Sequence, residues 1–359
     1  MAKRKASGTT NILGAIQKSL GKKDTGIVRD VVNDTLLSDV GSWIPTGFPG
    51  LDHILGGGWP VGRASEVSGP EGCGKSALSH MAIKGVQSIG GRALVIDFEQ
   101  ALEKNKMLAM GINPEGVDVV NPYYIEQAWD IIWAVVDELR ENPPEAPYLI
   151  IWDSVGASIS KTQYEAKSTE DITVGAVARA MSNGCKKMYR AIAEVNAHAM
   201  FINQERDKIG GFSGWGGPAK TTPGGAELKY AVSARVRCAR VSTLKSAGTT
   251  GVATGYLIKT STTKCRNFPP HRNATWVLDF EDMRWPDLTM RHVLMDARKM
   301  RSTGGGYYSC SWAPGTKIKK ADWFDALADE EFRQGAQATY LEILDAGGAK
   351  SFLEGGENE

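Results

Sequence analysis

No apolar run in the 359-residue chain is long enough to span a bilayer: the densest, Tyr148 to Trp152, is a fraction of the ~20 residues a membrane helix needs. The basic start MAKRKASGTT is not followed by an apolar stretch either, so neither export nor a membrane partner is expected. Cysteine is sparse and odd in number. Cys73, Cys185, Cys238, Cys265 and Cys310 are scattered, with no C-x-x-C pair, which excludes a disulfide framework or a zinc ribbon and fits a reducing cytoplasm. Net charge is nearly absent as well, 42 basic against 41 acidic residues, so any polyanion partner must be met by local clustering. What the chain does have is 42% hydrophobic residues and 41 glycines, a globular composition rich in positions that can hug a phosphate. At roughly 150 residues per domain, the length allows about two domains.

Three segments are legible. Residues 1–40 read as a helical arm, with Ile12, Leu13, Ile16 and Leu20 at helical spacing ahead of the charged stretch 21–26; the arm packs on its own domain or on a neighbouring subunit. From 41 to 285, short apolar runs (64–68, 93–97, 148–153, 199–203) alternate with helical patterns (from Lys75, near 126–141, 174–195), which predicts crossover units and a mostly parallel sheet. Ligands of such a sheet gather at the carboxyl ends of its strands. Past Ala226 the pattern turns strand-rich (231–241, 255–262, 275–280), and 286–359 form a small terminal domain with helices near Arg291 and Asp322.

The most specific local signal is Gly69-Pro70-Glu71-Gly72-Cys73-Gly74-Lys75-Ser76, a G-x-x-x-x-G-K-[ST] loop between an apolar strand and a helix that continues through Ala77. Glycines let backbone N–H groups turn inward around phosphates, and the helix N-terminus adds partial positive charge. Lys75 then neutralises the outer phosphates, and the Ser76 hydroxyl ligates Mg2+. Asp153, ending the run 148–153, stands where a carboxylate holds the magnesium shell. Asp97 and Glu99 end the strand before it, and hydrolysis needs one carboxylate able to activate water.

In ordered succession these motifs carry a resemblance. Ile44-Pro45-Thr46-Gly47, Leu51-Asp52, Gly62-Arg63, the phosphate loop, Ile96-Asp97-Phe98-Glu99, Glu126-Gln127-Ala128, Asp153-Ser154-Val155 and Phe201-Ile202-Asn203-Gln204 resemble the RecA recombinase family, in a divergent, phage-like form, over about 44–352. The resemblance implies a RecA-type P-loop ATPase core with a mostly parallel central sheet, an N-terminal helical arm and a small α+β C-terminal domain. It also implies Glu99 as the water-activating base, Gln204 as the sensor of the terminal phosphate, and Glu103 as an acceptor for the base. Lys264 and Arg266 correspond to a basic pair that reaches a neighbour's phosphate, and Lys229 and Arg235 match interface positions.

A nucleic-acid loop is legible in its own right. Between Gln204 and Ala226 lie seven glycines with Phe212, Trp215, Arg206, Lys208 and Lys220, a segment that cannot pack well alone. Cations for phosphates and apolar surface for unstacked bases suit single-stranded DNA. From Arg206 to Arg240 seven basic residues stand against two acidic ones. The resemblance adds a first DNA loop at 167–174, and backbone contacts from Arg179, Lys186, Arg206, Lys208, Ile209, Gly224 and Gly225. In the terminal domain, 296–321 carry six basic residues and one acid, and 322–359 ten acids and two basics, as in a duplex-gathering lobe with an acidic tail.

Two departures from the bacterial pattern matter. Gly72-Cys73 replaces two serines, and the tyrosine expected to stack on adenine is replaced near Lys106, so a platform is absent or comes from elsewhere. The second loop is also longer, and contacts between Gly211 and Lys220 do not transfer. The expected function is an ATP- and Mg2+-dependent recombinase that polymerises on single-stranded DNA and pairs it with homologous duplex. A hexameric motor on the same core and a non-catalytic loading paralogue are the alternatives.

Overall fold

The computed structural model describes residues 41–167, 175–212, 218–246 and 251–348. The expected arm at 1–40, most of the first DNA loop, Trp215 and the end of the acidic tail lie outside the described residues. The chain divides into Met1–Gly41 and Ser42–Glu359, and the elements below belong to the second unit.

That unit opens with a short antiparallel pair, β1 (Trp43–Ile44) with β2 (Trp59–Pro60), around α1 (Pro49–Leu55). Proline starts α1, where its missing N–H is no loss, and left-handed Gly56 ends it. Crossover units follow: β3 (Arg63–Gly69), α2 (Lys75–Ser88), β4 (Arg92–Asp97), α3 (Lys104–Ala109), β5 (Val117–Val120), α4 (Ile125–Glu141), β6 (Tyr148–Asp153), α5 (Lys161–Glu165), α6 (Ala176–Ala193) and β7 (Ala197–Gln204). Next come the hairpin β8 (Arg206–Phe212) and β9 (Pro218–Thr221), then α7 (Gly225–Ala231), β10 (Ala234–Lys245), β11 (Ala253–Cys265) and β12 (Asn273–Asp279). The eight-stranded sheet has the order β12-β11-β10-β3-β7-β6-β4-β5. It is parallel from β10 to β5 and antiparallel at β10-β11-β12.

Both faces of the parallel region are covered, which is why β4, β6 and β7 read as largely apolar runs. On one face α2 lays Leu78, Met81 and Val86 against Val67, Val95 and Ile151. On the other, α4 and α6 bury Trp129, Ile132, Met181 and Ile192 against Trp152 and Phe201. The buried positions of α4 (Ile125, Ala128, Trp129, Ile132, Val136, Leu139) fall at helical spacing and so form one stripe. The terminal lobe, α8 (Trp285–Asp296), β13 (Met300–Gly304), β14 (Tyr307–Cys310), β15 (Ala313–Lys319), α9 (Trp323–Ala326) and α10 (Glu330–Ile343), has a hydrophobic cluster of its own around Trp323, Phe332 and Tyr340.

Two features differ from the sequence reading. The glycine-rich segment is flanked by paired backbone, Arg206 opposite Thr221 and Phe212 opposite Pro218. A helix, α7, which the sequence reading did not include, also precedes β10, and the strand expected from Ala231 begins at Ala234. At seven residues it is too short to show periodicity, and the left-handed glycines that start it, Gly224 and Gly225, read as loop.

The contact between α4 and α6 depends on a missing side chain. A Cβ on Gly184 would lie 1.9 Å from the Trp129 ring. With a contact this short the overpacking cost falls near the upper end of about 1–3 kcal/mol, and after the ~1 kcal/mol gained in helix propensity Gly184→Ala is expected to destabilise the fold by about 1–2 kcal/mol. A denaturant midpoint that stays put or rises would refute this packing.

Candidate nucleotide and nucleic-acid site

The phosphate loop joins β3 to α2. At Gly74 a side chain is excluded twice, by a φ of +86° and by the Trp276 ring 2.6 Å from where a Cβ would stand. Lys75 heads the fourteen-residue α2, whose first-turn N–H groups face the loop, and its Nζ donates to Pro70 O at 2.6 Å. Pro70, Glu71, Gly72 and Ser76 are exposed, whereas Gly69, Cys73 and Ala77 are buried. The Cys238 thiol on β10 donates to the Cys73 sulfur, and this contact draws the Cys73 pKa down. Cysteine thus acts here as a small buried group under the loop.

Strand register levels the rim. Gly69 is opposite Gln204 across β3 and β7, and Asp97 is opposite Asp153 across β4 and β6. The two strand-end acids after β4 have different work. Asp97 accepts from the backbone N–H groups of Glu99 (2.9 Å), Gln100 (2.7 Å) and Leu102 (3.3 Å), so it builds the turn that presents Glu99. Exposed Glu99 accepts from Gln204 Nε2 at 3.2 Å and from the Ser154 hydroxyl. Ser154 was not singled out from sequence, although a hydroxyl directly after a strand-end carboxylate was there to be read.

Asp153 is pushed up to about 7, first by burial and then by the charges of Glu99 and Asp97, with Lys75 opposing. Carboxylates crowded around one ammonium lack positive charge, which a divalent cation would supply, so Ser76 and Asp153 fit a magnesium site. Among the described residues no cluster of three His, Cys, Asp or Glu could form an all-protein cage. Glu103 stands exposed ahead of α3, and α3 carries Lys106 but no aromatic residue.

The nucleic-acid candidates fall on neighbouring elements. Arg179 and Lys186 are exposed on α6, two turns apart on one face. Arg206 opens β8 one residue after Glu205 follows Gln204, and its Nη2 donates to Gly156 O at 3.2 Å. Lys208 and Ile209 lie on the β8 backbone. Gly224 approaches Val155 so closely that a Cβ would meet it at 2.9 Å, and Gly225 starts α7. Lys264 and Arg266 are not joined to the phosphate loop by any hydrogen bond or ion pair among the described residues. They cap the carboxyl end of α7 instead: Lys264 Nζ donates to Lys229 O (2.8 Å) and Tyr230 O (3.0 Å), and Arg266 Nη2 donates to Tyr230 O at 3.0 Å. Burial, then the charges of Arg266 and Arg235, hold the Lys264 ammonium down to about 8.

Glu66, fully buried in the middle of β3, is a further residue that sequence reasoning missed. Its carboxylate accepts from Arg235 Nε on β10 and from Asn203 Nδ2 on β7 (2.8 Å). Asn203 Nδ2 also donates to Pro223 O at 2.9 Å, and Arg235 Nη2 to the Thr222 hydroxyl at 3.4 Å. One buried charge therefore ties the strand bearing Gln204 to the chain returning from the hairpin. A carboxylate amid the small and apolar residues Ala64, Ser65, Val67 and Ser68 ahead of the phosphate loop was the signal.

A phosphate loop following β3, with acids level at the ends of β4 and β6 in the same sheet, defines the phosphate-loop class of α/β proteins. Within that class, the family model described as the RecA N-terminal domain matches residues 9–282. The protein RecA of Nautilia profundicola is 39% identical over 238 residues, 66% of this chain and 65% of its own length. That of Porphyromonas gingivalis is 35% identical over 266 residues, 74% of this chain and 73% of its own. That of Leptospira meyeri is 34% identical over 303 residues, 83% and 72%. The chain belongs to the RecA family, and its core is a RecA-type α/β fold. No helix among the described residues is long and apolar enough to cross a membrane.

Glu66→Ala is expected to cost about 3–5 kcal/mol, because it leaves a partly buried guanidinium without its counter-charge. Urea denaturation measures this, and Glu66→Ala combined with Arg235→Leu should recover part of the loss. A single variant as stable as the parent would show that the pair does not hold the strands.

Proposed function

We propose that the protein is an ATP-dependent recombinase that assembles on single-stranded DNA and pairs it with homologous duplex. The observation that carries the reading is the contact between Gln204 and Glu99. The side chain to which this reading gives phosphate sensing touches the carboxylate to which it gives water activation, and the strand that ends at Gln204 leads into the glycine-rich hairpin. Family membership supports the same reading. In this mechanism the phosphate loop N–H groups and Lys75 hold the β- and γ-phosphates. Mg2+, when bound through Ser76 and Asp153, neutralises charge developing on the phosphate oxygens. Glu99 takes the proton from the attacking water, with Ser154 fixing its direction. When Gln204 turns from Glu99 to the terminal phosphate, the hairpin that begins at Arg206 shifts with it, and the grip of Arg206, Lys208, Ile209, Gly224 and Gly225 on DNA follows the nucleotide state.

Lys264 and Arg266 serve a neighbouring protomer's phosphate, which makes hydrolysis depend on assembly. The 1–40 arm links protomers, Arg179 and Lys186 hold backbone phosphates, and the basic lobe gathers duplex. ATP binding then favours the assembled filament, and hydrolysis to ADP and phosphate removes that bias.

Electron microscopy with single-stranded DNA and a slowly hydrolysed ATP analogue is expected to show an open helix. A closed ring would indicate a motor, and scattered monomers a loading protein. Glu99→Gln should keep the helix while slowing turnover by about 10²-fold or more, so normal turnover would remove Glu99 from its role.

Lys264 generates a pH prediction. Its lowered pKa means that the charge offered to a neighbour is present below pH about 8 and lost above it. DNA-stimulated turnover at sub-saturating ATP should fall as pH rises through that value, whereas Lys264→Arg, charged throughout, should flatten the fall. Parallel profiles for the two proteins would exclude Lys264 from the phosphate contact.

A further inference from the structure

Glu205 stands between Gln204, the last residue of β7, and Arg206, the first of the hairpin, and no step above uses it. Its carboxylate is held by both arms of a guanidinium on β10: Arg237 Nε donates to one oxygen at 2.6 Å and Nη2 to the other at 2.9 Å. Its backbone N–H donates to Gly69 O at 3.1 Å, where β3 gives way to the phosphate loop. One residue is therefore fastened to the phosphate loop through its main chain and to β10 through its side chain.

Strand order alone does not call for this pair. β7 and β10 are not adjacent, since β3 lies between them. Two strand spacings come to roughly 10 Å, so only two long, extended side chains meet across the gap, and holding them costs rotamer entropy. The buried Glu66 already links the same three strands through Arg235 and Asn203, and Arg237 repeats that reach two residues nearer the rim, on the same face of β10. A guanidinium fork on a carboxylate fixes direction as well as distance. What it fixes here is the single residue that separates Gln204 from the hairpin. The side chains on either side are held more lightly, Gln204 Nε2 by Glu99 at 3.2 Å and the exposed Arg206 Nη2 by Gly156 O at 3.2 Å.

We propose that the Glu205–Arg237 pair is a positioning element that couples nucleotide state to DNA grip. It acts as a pivot. With Glu205 pinned to Gly69 and to β10, a turn of Gln204 toward the terminal phosphate reaches the hairpin as a swing about that point and is not absorbed by fraying of the end of β7. The inference rests on the reading that the nucleotide governs the grip of the hairpin on single-stranded DNA, and it adds the residues that carry the coupling. Without the pair both sites still form, but the hairpin no longer has a distinct position for each nucleotide state, so the coupling between the sites shrinks.

Fluorescence anisotropy of a labelled oligothymidylate on the full-length protein, once with a slowly hydrolysed ATP analogue and once with ADP, gives two affinities whose ratio measures that coupling. Glu205→Gln and Arg237→Gln are each expected to lower the ratio about tenfold, while calorimetric binding of the analogue without DNA stays at the parent value. Because the two residues act as one unit, the double variant should fall no further than either single one. The Arg237 side chain is 39% exposed, so Arg237→Gln keeps the test open if Glu205→Gln does not fold. Single variants that keep the parent ratio would overturn the proposal, and so would losses that add in the double variant. A lowered denaturant midpoint with an unchanged ratio would overturn it as well, since the pair would then only stabilise the fold. A parent protein that binds the oligothymidylate equally with analogue and with ADP would overturn the reading beneath it, that nucleotide state controls grip, before any variant is made.

Discussion

The parallel pairing of β3 with β7, which sets Gly69 opposite Gln204, is the constraint on which the site depends. Adjacent strands are only about 4.8 Å apart, so the chain that turns into the phosphate loop and the chain that turns into the hairpin leave the sheet side by side. The same registration carries across β6 and β4, where Asp153 and Asp97 are level. Because side chains alternate along a strand, a slip of one residue would point Gln204 away from Glu99.

Beneath that rim the buried Glu66 solves a second problem. The end of β7, the return from the hairpin and the start of β10 must keep their relative positions, and apolar contact alone specifies direction weakly. A fully buried carboxylate with a guanidinium and an amide as partners is directional, and it is costly to leave half-made. Helix α7 extends the connection. Gly224 and Gly225 sit at its start, and its last carbonyls are capped by Lys264 and Arg266. In the proposed cycle, a shift of the hairpin is therefore felt by the two cations meant for the next protomer.

Much of the core was legible because its signals are local and dense. The apolar run 148–153 became β6, the pattern near 126–141 became α4, and the G-x-x-x-x-G-K-S loop joins a strand to a helix. Short elements were not: α7 is opened by glycines and spans seven residues, so no period could announce it. The hairpin flanks read as loop because their glycines hide the pairing of Arg206 with Thr221. Glu66 and Ser154 were given no role from sequence since what distinguishes them is who their neighbours are, and those neighbours lie 137 and 55 residues away along the chain.

The amino-acid order alone decided which groups with phosphate and proton chemistry are present and where the chain can turn, because glycine conformational freedom, hydroxyls, carboxylates and ammonium groups are properties of single residues. Folding decided which of those groups meet. Glu99 and Gln204 are separated by 105 residues and touch only because crossover connections bring the ends of β4 and β7 to one rim. Stacking, charge burial and proton transfer act over a few ångströms, and only tertiary structure sets distances on that scale.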